Sequence, residues 1–223
     1  MKRLIISCKM LSDELKKVCK DKKNIPQIIE LERGMHNHPK KLQNRLKELI
    51  GENQNMDEIV LTYGLCGNST LDLMSPNTRL VLPKFDDCIS QLLYRDRIGR
   101  RSRSEIQKGH LYVTRGWTLD PEALIPQCQN ILKIYGKDIG KEIISQIYGE
   151  YYKISMIDTG AYDVIGLEHY MKKVKKYLDV QIECVSGSTD ILEKIISGNY
   201  DDNFIILNPG EILEEKMFRI NEK

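Results

Sequence analysis

The chain has 223 residues, 41% of them hydrophobic and 30% charged, a composition that folds rather than one that stays disordered. Lys and Arg number 34 against 32 Asp and Glu, a net charge of +2, so the whole-chain charge makes no case for nucleic acid or an anionic membrane surface as partner. No apolar run approaches the roughly 18 to 20 residues of a membrane span and no signal-peptide pattern opens the chain; a cytoplasmic protein without a membrane partner is expected.

In chain order, β-rich runs are read at Arg3 to Ser7, Gln27 to Leu31, Glu58 to Thr62, Arg79 to Leu82 and Leu111 to Thr114. Further on they recur at Lys153 to Ile157, Gln181 to Val185 and Phe204 to Leu207. Helical stripes fall between them: Leu11, Leu15 and Val18; then Leu42, Leu46, Leu49 and Ile50 in a helix opening at Pro39. Ile89, Leu92 and Leu93 follow Asp86 and Asp87, either of which can cap a helix, and Val164, Leu167, Met171, Val174 and Leu178 make the longest stripe.

Strand and helix alternation of this kind predicts an α/β fold with mostly parallel sheets in two Rossmann-like lobes. The expected division is 1–120 as an N-terminal lobe and 121–150 as a helical connector interrupted by Pro121, Pro126 and Gly136. Residues 151–223 then make a C-terminal βαβαβ lobe, the alternative being one continuous domain.

In a parallel sheet all strands end at one edge, and ligands bind in the crevice beyond it. Strand one runs into Cys8, strand two into Gly34-Met35-His36-Asn37-His38, strand three into Tyr63-Gly64-Leu65-Cys66-Gly67-Asn68, and strand four through Asp86-Asp87 to Cys88. Soft sulfur and imidazole on one rim suit zinc or iron, so Cys8, His36, Cys66 and Cys88 are the candidate metal ligands, for a zinc ion or an iron-sulfur cluster. Each has a plainer reading: a small thiol packs well after an apolar strand, and His36 or His38 can simply cap the helix at Pro39. Cys66 is set apart by the glycines on both sides, which let backbone approach a ligand closely. Cys88, in the first turn of a helix, is expected to have a lowered thiol pKa. Cys19, Cys128 and Cys184 read as packing residues.

Around the thiols, a surface for a small-molecule ligand is expected from Tyr63, Gly64, Gly67, Asn68 and Asp87, and from Tyr112, Thr114, Gly116 and Trp117 after strand five. Trp117 is the one tryptophan, and it could equally close a core edge. Asp158 after a later strand, and Arg95 in the basic run Arg95, Arg97, Arg100, Arg101 and Arg103, complete the set. That run can draw an anion or lie in a solvated loop; it lacks the interleaved aromatics of single-strand binders, so nucleic acid is not the expected partner.

Cys8 after the first strand, Met35-His36-Asn37-His38-Pro39, Tyr63-Gly64-Leu65-Cys66-Gly67-Asn68, Asp87-Cys88-Ile89 and Tyr112-Val113-Thr114-Arg115-Gly116-Trp117 together resemble an uncharacterised domain-of-unknown-function family found mainly in anaerobic bacteria and archaea. The resemblance covers essentially the whole chain. It departs at Asp86, where the family pattern carries a histidine, so this position need not supply an imidazole ligand. The resemblance implies an association with corrinoid and methyl-transfer systems. The function expected is a metal-binding protein, with group transfer as its chemistry if it is an enzyme. Two alternatives remain open: a metal-free module holding a small anionic ligand, and a cysteine nucleophile at Cys66 or Cys88 with His36 as base.

Overall fold

The computed structural model of the protein describes residues 1–94 and 109–219; the basic run and Arg95 with it lie outside the described residues. Among the described residues eight strands form, close to the predicted positions: β1 (Arg3–Cys8), β2 (Gln27–Leu31), β3 (Glu58–Leu61), β4 (Arg79–Pro83), β5 (His110–Val113), β6 (Lys153–Asp158), β7 (Gln181–Ser186) and β8 (Phe204–Leu207). The helices are α1 (Ser12–Cys19), α2 (Pro39–Glu52), α3 (Cys88–Leu93), α4 (Arg115–Thr118), α5 (Leu124–Tyr135), α6 (Lys137–Tyr148), α7 (Val164–Val174) and α8 (Asp190–Ser197). No helix among the described residues is long and apolar enough to cross a membrane.

The fold is α/β with two mostly parallel sheets. One has five strands in the order β2-β1-β3-β4-β8, the other three in the order β5-β6-β7. The division of strands departs from the sequence reading in two places. β5 leaves the first five strands to pair in parallel with β6, and β8 returns to the first sheet to lie antiparallel along β4, with Leu80 facing Leu207 and Leu82 facing Ile205. Local pattern fixes a strand but not its neighbour, because pairing is decided by contacts far apart in the chain.

Period-two alternation explains why the larger sheet is covered on both faces. Leu4, Ile6, Ile59, Leu61, Leu80 and Leu82 point into one apolar cluster with Leu42, Leu46, Leu49 and Ile50 of α2. Ile5, Val60 and Val81 point into the opposite one, with Leu11, Leu15 and Val18 on the α1 side and Ile191, Leu192, Ile195 and Ile196 from α8. The smaller sheet packs Val113, Ile154 and Met156 against Leu124, Cys128, Ile144, Leu167 and Met171 of α5, α6 and α7. Cys19 and Cys128 pack against these clusters as expected. Cys184 does not: it stands exposed on β7, an edge strand with one face toward solvent.

A buried ionic knot ties the N-terminal edge of the larger sheet. Glu58 is 1% exposed; it accepts from Arg3 Nε at 2.9 Å and from the Tyr200 hydroxyl at 2.6 Å, and forms an ion pair with Arg79 Nε at 3.1 Å. Arg3 also donates through Nη1 to the Ile196 carbonyl at 3.0 Å, near the end of α8. One carboxylate thereby joins β1, β3, β4 and α8. The two sheets meet at the opposite edge: a Cβ on Gly116 would lie 2.0 Å from the Met10 carbonyl oxygen, so only glycine admits this approach.

Candidate functional site

Strand order β2-β1-β3 places β1 between neighbours whose connections run in opposite directions, and the carboxyl ends of β1 and β3 form the topological switch point where α/β sheets open a crevice. Cys8 ends β1, and the Tyr63 to Asn68 loop follows β3. Thr62 locks the two ends together. Its hydroxyl shares a hydrogen bond with Ser7 Oγ at 2.9 Å and accepts from Cys8 N at 3.4 Å, while its carbonyl accepts from Gln91 Nε2 at 2.9 Å.

The loop carrying Cys66 is held by backbone. Leu65 N donates to Phe85 O and Cys66 N to Asp86 O, each at 2.8 Å, so the β3 loop lies directly on the β4 loop. Gly64 makes this approach feasible, since a Cβ there would sit 2.1 Å from Phe85 O. Its role is to admit a neighbouring strand end, where the sequence suggested room for a ligand. Cys66, Gly67 and Asn68 then have φ of 47°, 65° and 68°, three consecutive left-handed residues of which only one is glycine. Each non-glycine residue held this way costs on the order of 1 kcal/mol, a strain that concentrates at functional loops.

Asp87 is the N-cap of α3, its Oδ1 accepting from Ser90 N at 2.8 Å, which sets Cys88 as the first helical residue. His36 lies in a short 3-10 turn, Met35–Asn37, after Gly34 at φ 76°. On the facing side come Tyr112 of β5, Thr114, whose hydroxyl accepts from Trp117 N at 3.2 Å, and Trp117 of α4.

These groups line a single cavity of about 440 Å³. Cys8, His36, Cys66 and Cys88 are all on its wall, as are Tyr63, Gly67, Asp87, Tyr112, Thr114 and Trp117. Asn68, Gly64 and Gly116 stand back from it. Asp158 does too; its carboxylate accepts from Gly160 N at 2.8 Å and closes a turn. His110 and Tyr151 also line the cavity, and both were missed in the sequence. His110 lies at the amino end of β5, and a search of strand carboxyl ends passes over it; the edge strand of the second sheet runs along the cavity and contributes from its whole length.

Burial governs the titration of these groups. The Cys8 thiol is raised by desolvation. Cys88 is pushed well above the ordinary thiol value by burial first, then by its neighbours Cys66, Cys8 and Glu14. The lowering expected from the start of a helix is therefore outweighed, because desolvation and like charges oppose a thiolate more strongly than one short helix favours it. Tyr63, 3% exposed, is held well above the usual phenol value by burial and by Cys8, Cys66 and Cys88. Its hydroxyl makes no well-formed hydrogen bond and lies against the Cys8 thiol. His36 is lowered by burial, with Asp120 and Glu122 opposing, so its imidazole is neutral at neutral pH.

Behind this wall, Glu14 of α1 is fully buried where the sheets meet. Its Oε1 accepts from the Thr159 hydroxyl at 3.0 Å, and its Oε2 has no partner. Burial raises this carboxyl to about 7. All six cysteines are free thiols. Among the described residues no three His, Cys, Asp or Glu side chains stand arranged to hold a metal ion.

The family model described as "Protein of unknown function (DUF1638)" matches residues 30–196. No curated protein and no solved structure matches the chain.

Proposed function

From the premise that the chain belongs to the DUF1638 family, whose description assigns no activity, we propose that its cavity is a soft-metal site, with Cys8, Cys66 and Cys88 as thiolate ligands and His36 as the imidazole ligand. The observation that carries the reading is the convergence of three thiols and a neutral imidazole, spread over eight tens of sequence positions, on one cavity wall at the sheet's switch point. The donor set fits a zinc ion or an iron-sulfur cluster. The Cys88 thiol, raised by burial and by the neighbouring Cys66 and Cys8, is relieved by a cation, and a neutral imidazole is the ligating form. Loading requires the side chains to draw together from their present arrangement.

Bound there, such a metal supplies Lewis acidity toward a thiol or oxygen of a second molecule, the chemistry of group transfer. The protein's own residues hold the site: Thr62 fixes β1 against β3, Asp87 fixes Cys88, and the left-handed turn aims Cys66. Methyl-transfer or corrinoid metabolism is the setting proposed for it, on the family resemblance, with cytoplasmic location. A metal-free nucleophile at Cys88 is disfavoured, because burial raises its thiol away from the thiolate form that attack needs.

Elemental analysis of protein purified without oxygen tests the reading. About one metal ion or cluster per chain is expected, and the combined Cys8→Ala, Cys66→Ala, Cys88→Ala variant is expected to lose it. Full metal content in that variant overturns the proposal.

A further inference from the structure

The turn that carries His36 follows β2 of the larger sheet, yet it is held by the segment that leads from β5 of the smaller sheet into α5. Residues on both sides of His36 make the contacts. Arg33 Nε donates to the Gly116 carbonyl at 3.1 Å. Gly34, left-handed at φ 76°, lies against the buried Asp120 carboxylate, whose Oδ1 is 3.2 Å from where a Cβ on Gly34 would stand. Asp120 Oδ1 also accepts from Glu122 N at 2.8 Å, which fixes the backbone from which Glu122 reaches the turn. Asn37 Nδ2 then donates to Glu122 Oε2 at 2.6 Å, and His38 Nε2 stands 3.9 Å from Glu122 Oε1.

The grip falls on the backbone and spares the ring. Among the described residues the His36 imidazole has no hydrogen bond of its own, and it lines the cavity with Cys8, Cys66 and Cys88. A ligand held this way can swing toward the thiols about its side-chain bonds without its turn having to be ordered first, and support of that kind behind a metal ligand commonly decides affinity. Stability is a poor account of the contact: Glu122 and His38 are both exposed, and exposed ion pairs contribute little to folding.

We propose that Glu122 is a positioning residue for His36, holding the turn through Asn37 and His38 so that the imidazole reaches the thiols. The proposal rests on the metal reading above and adds to it a residue that does not line the cavity.

Cobalt(II), which takes the place of zinc in sulfur and imidazole sites and absorbs visible light there, is titrated without oxygen into the full chain stripped of metal. Glu122→Ala is expected to weaken binding roughly ten-fold, the low end of the loss when a group behind a metal ligand is removed, and to leave the metal-free melting temperature unchanged. Glu122→Gln, which keeps an oxygen for Asn37, should recover most of that loss. His36→Ala should weaken binding further and shift the cobalt absorption bands; adding Glu122→Ala to it should cost nothing more, since the group being positioned is gone. Binding that Glu122→Ala leaves unchanged or tightens overturns the inference alone, as does a full second loss on top of His36→Ala. An unaltered chain that takes up no cobalt also overturns it, and one that purifies without any metal as well overturns the reading beneath it.

Discussion

The two ends of the larger sheet solve opposite problems with the same strands. At the amino end, buried Glu58 accepts at Oε1 from Arg3 Nε and the Tyr200 hydroxyl, and its Oε2 is neutralised by Arg79 Nε in an ion pair at 3.1 Å without a well-formed hydrogen bond. At the carboxyl end, the Tyr63 hydroxyl and one oxygen of Glu14 are buried without a partner, and thiols crowd one another. The difference teaches where stability and function are kept. Paired buried charge holds strands together, whereas a buried polar group without a partner costs stability that a metal, a proton or a ligand can recover.

Substitutions that empty each end should separate the two. Glu58→Ala leaves Arg3 buried without its carboxylate and is expected to cost about 3–5 kcal/mol in urea unfolding. A loss under 1 kcal/mol would mean that the amino end is not the sheet's clamp. Glu14 has the reverse sign. Its folded pKa is about 7 against an ordinary 4.5, so the folded state holds a proton that the unfolded chain releases. The stability it lends is full below about pH 4.5 and is lost as pH rises toward 7, a change on the order of 3 kcal/mol. Glu14→Gln, which copies the protonated form, should flatten that slope and make the protein more stable than the unaltered chain at pH 8. An unchanged pH slope of the unfolding midpoint between pH 5 and 7.5 would place the titration elsewhere.

Gly64→Ala forces a Cβ onto the Phe85 carbonyl and should cost about 1–3 kcal/mol. Its melting temperature should fall, and so should the metal content, since the Cys66 loop rests on that contact. Smallest of all, Tyr63→Phe removes a hydroxyl that makes no well-formed bond and should change unfolding free energy by less than about 1 kcal/mol. A larger loss would give Tyr63 the same standing as Glu58 and erase the contrast between the ends.

Much of this was readable from sequence because strand boundaries are set locally. The alternating apolar residues of β1, β3 and β4, the Pro39 start of α2 and the Asp87 cap all act within a few residues of themselves. The gathering of Cys8, His36, Cys66 and Cys88 followed from one topological rule, that parallel strands end together. What escaped depends on distance in the chain. The exchange of β5 for β8 is decided by partners across the whole molecule, and His110 enters the cavity only because β5 belongs to the other sheet. The thiol pKa at Cys88 escaped for a related reason: the helix start is visible in sequence, while the crowding that overrides it is not.

The return of β8 has a consequence for how the chain is made. Until Phe204–Leu207 is synthesised, the outer edge of β4 has no partner, and everything between, including the whole second sheet, emerges first. An apolar strand edge left open that long is a template for pairing with other chains. Folding of the larger sheet is therefore expected to be slow, late and sensitive to concentration, and short truncations that remove β8 should aggregate before they lose secondary structure.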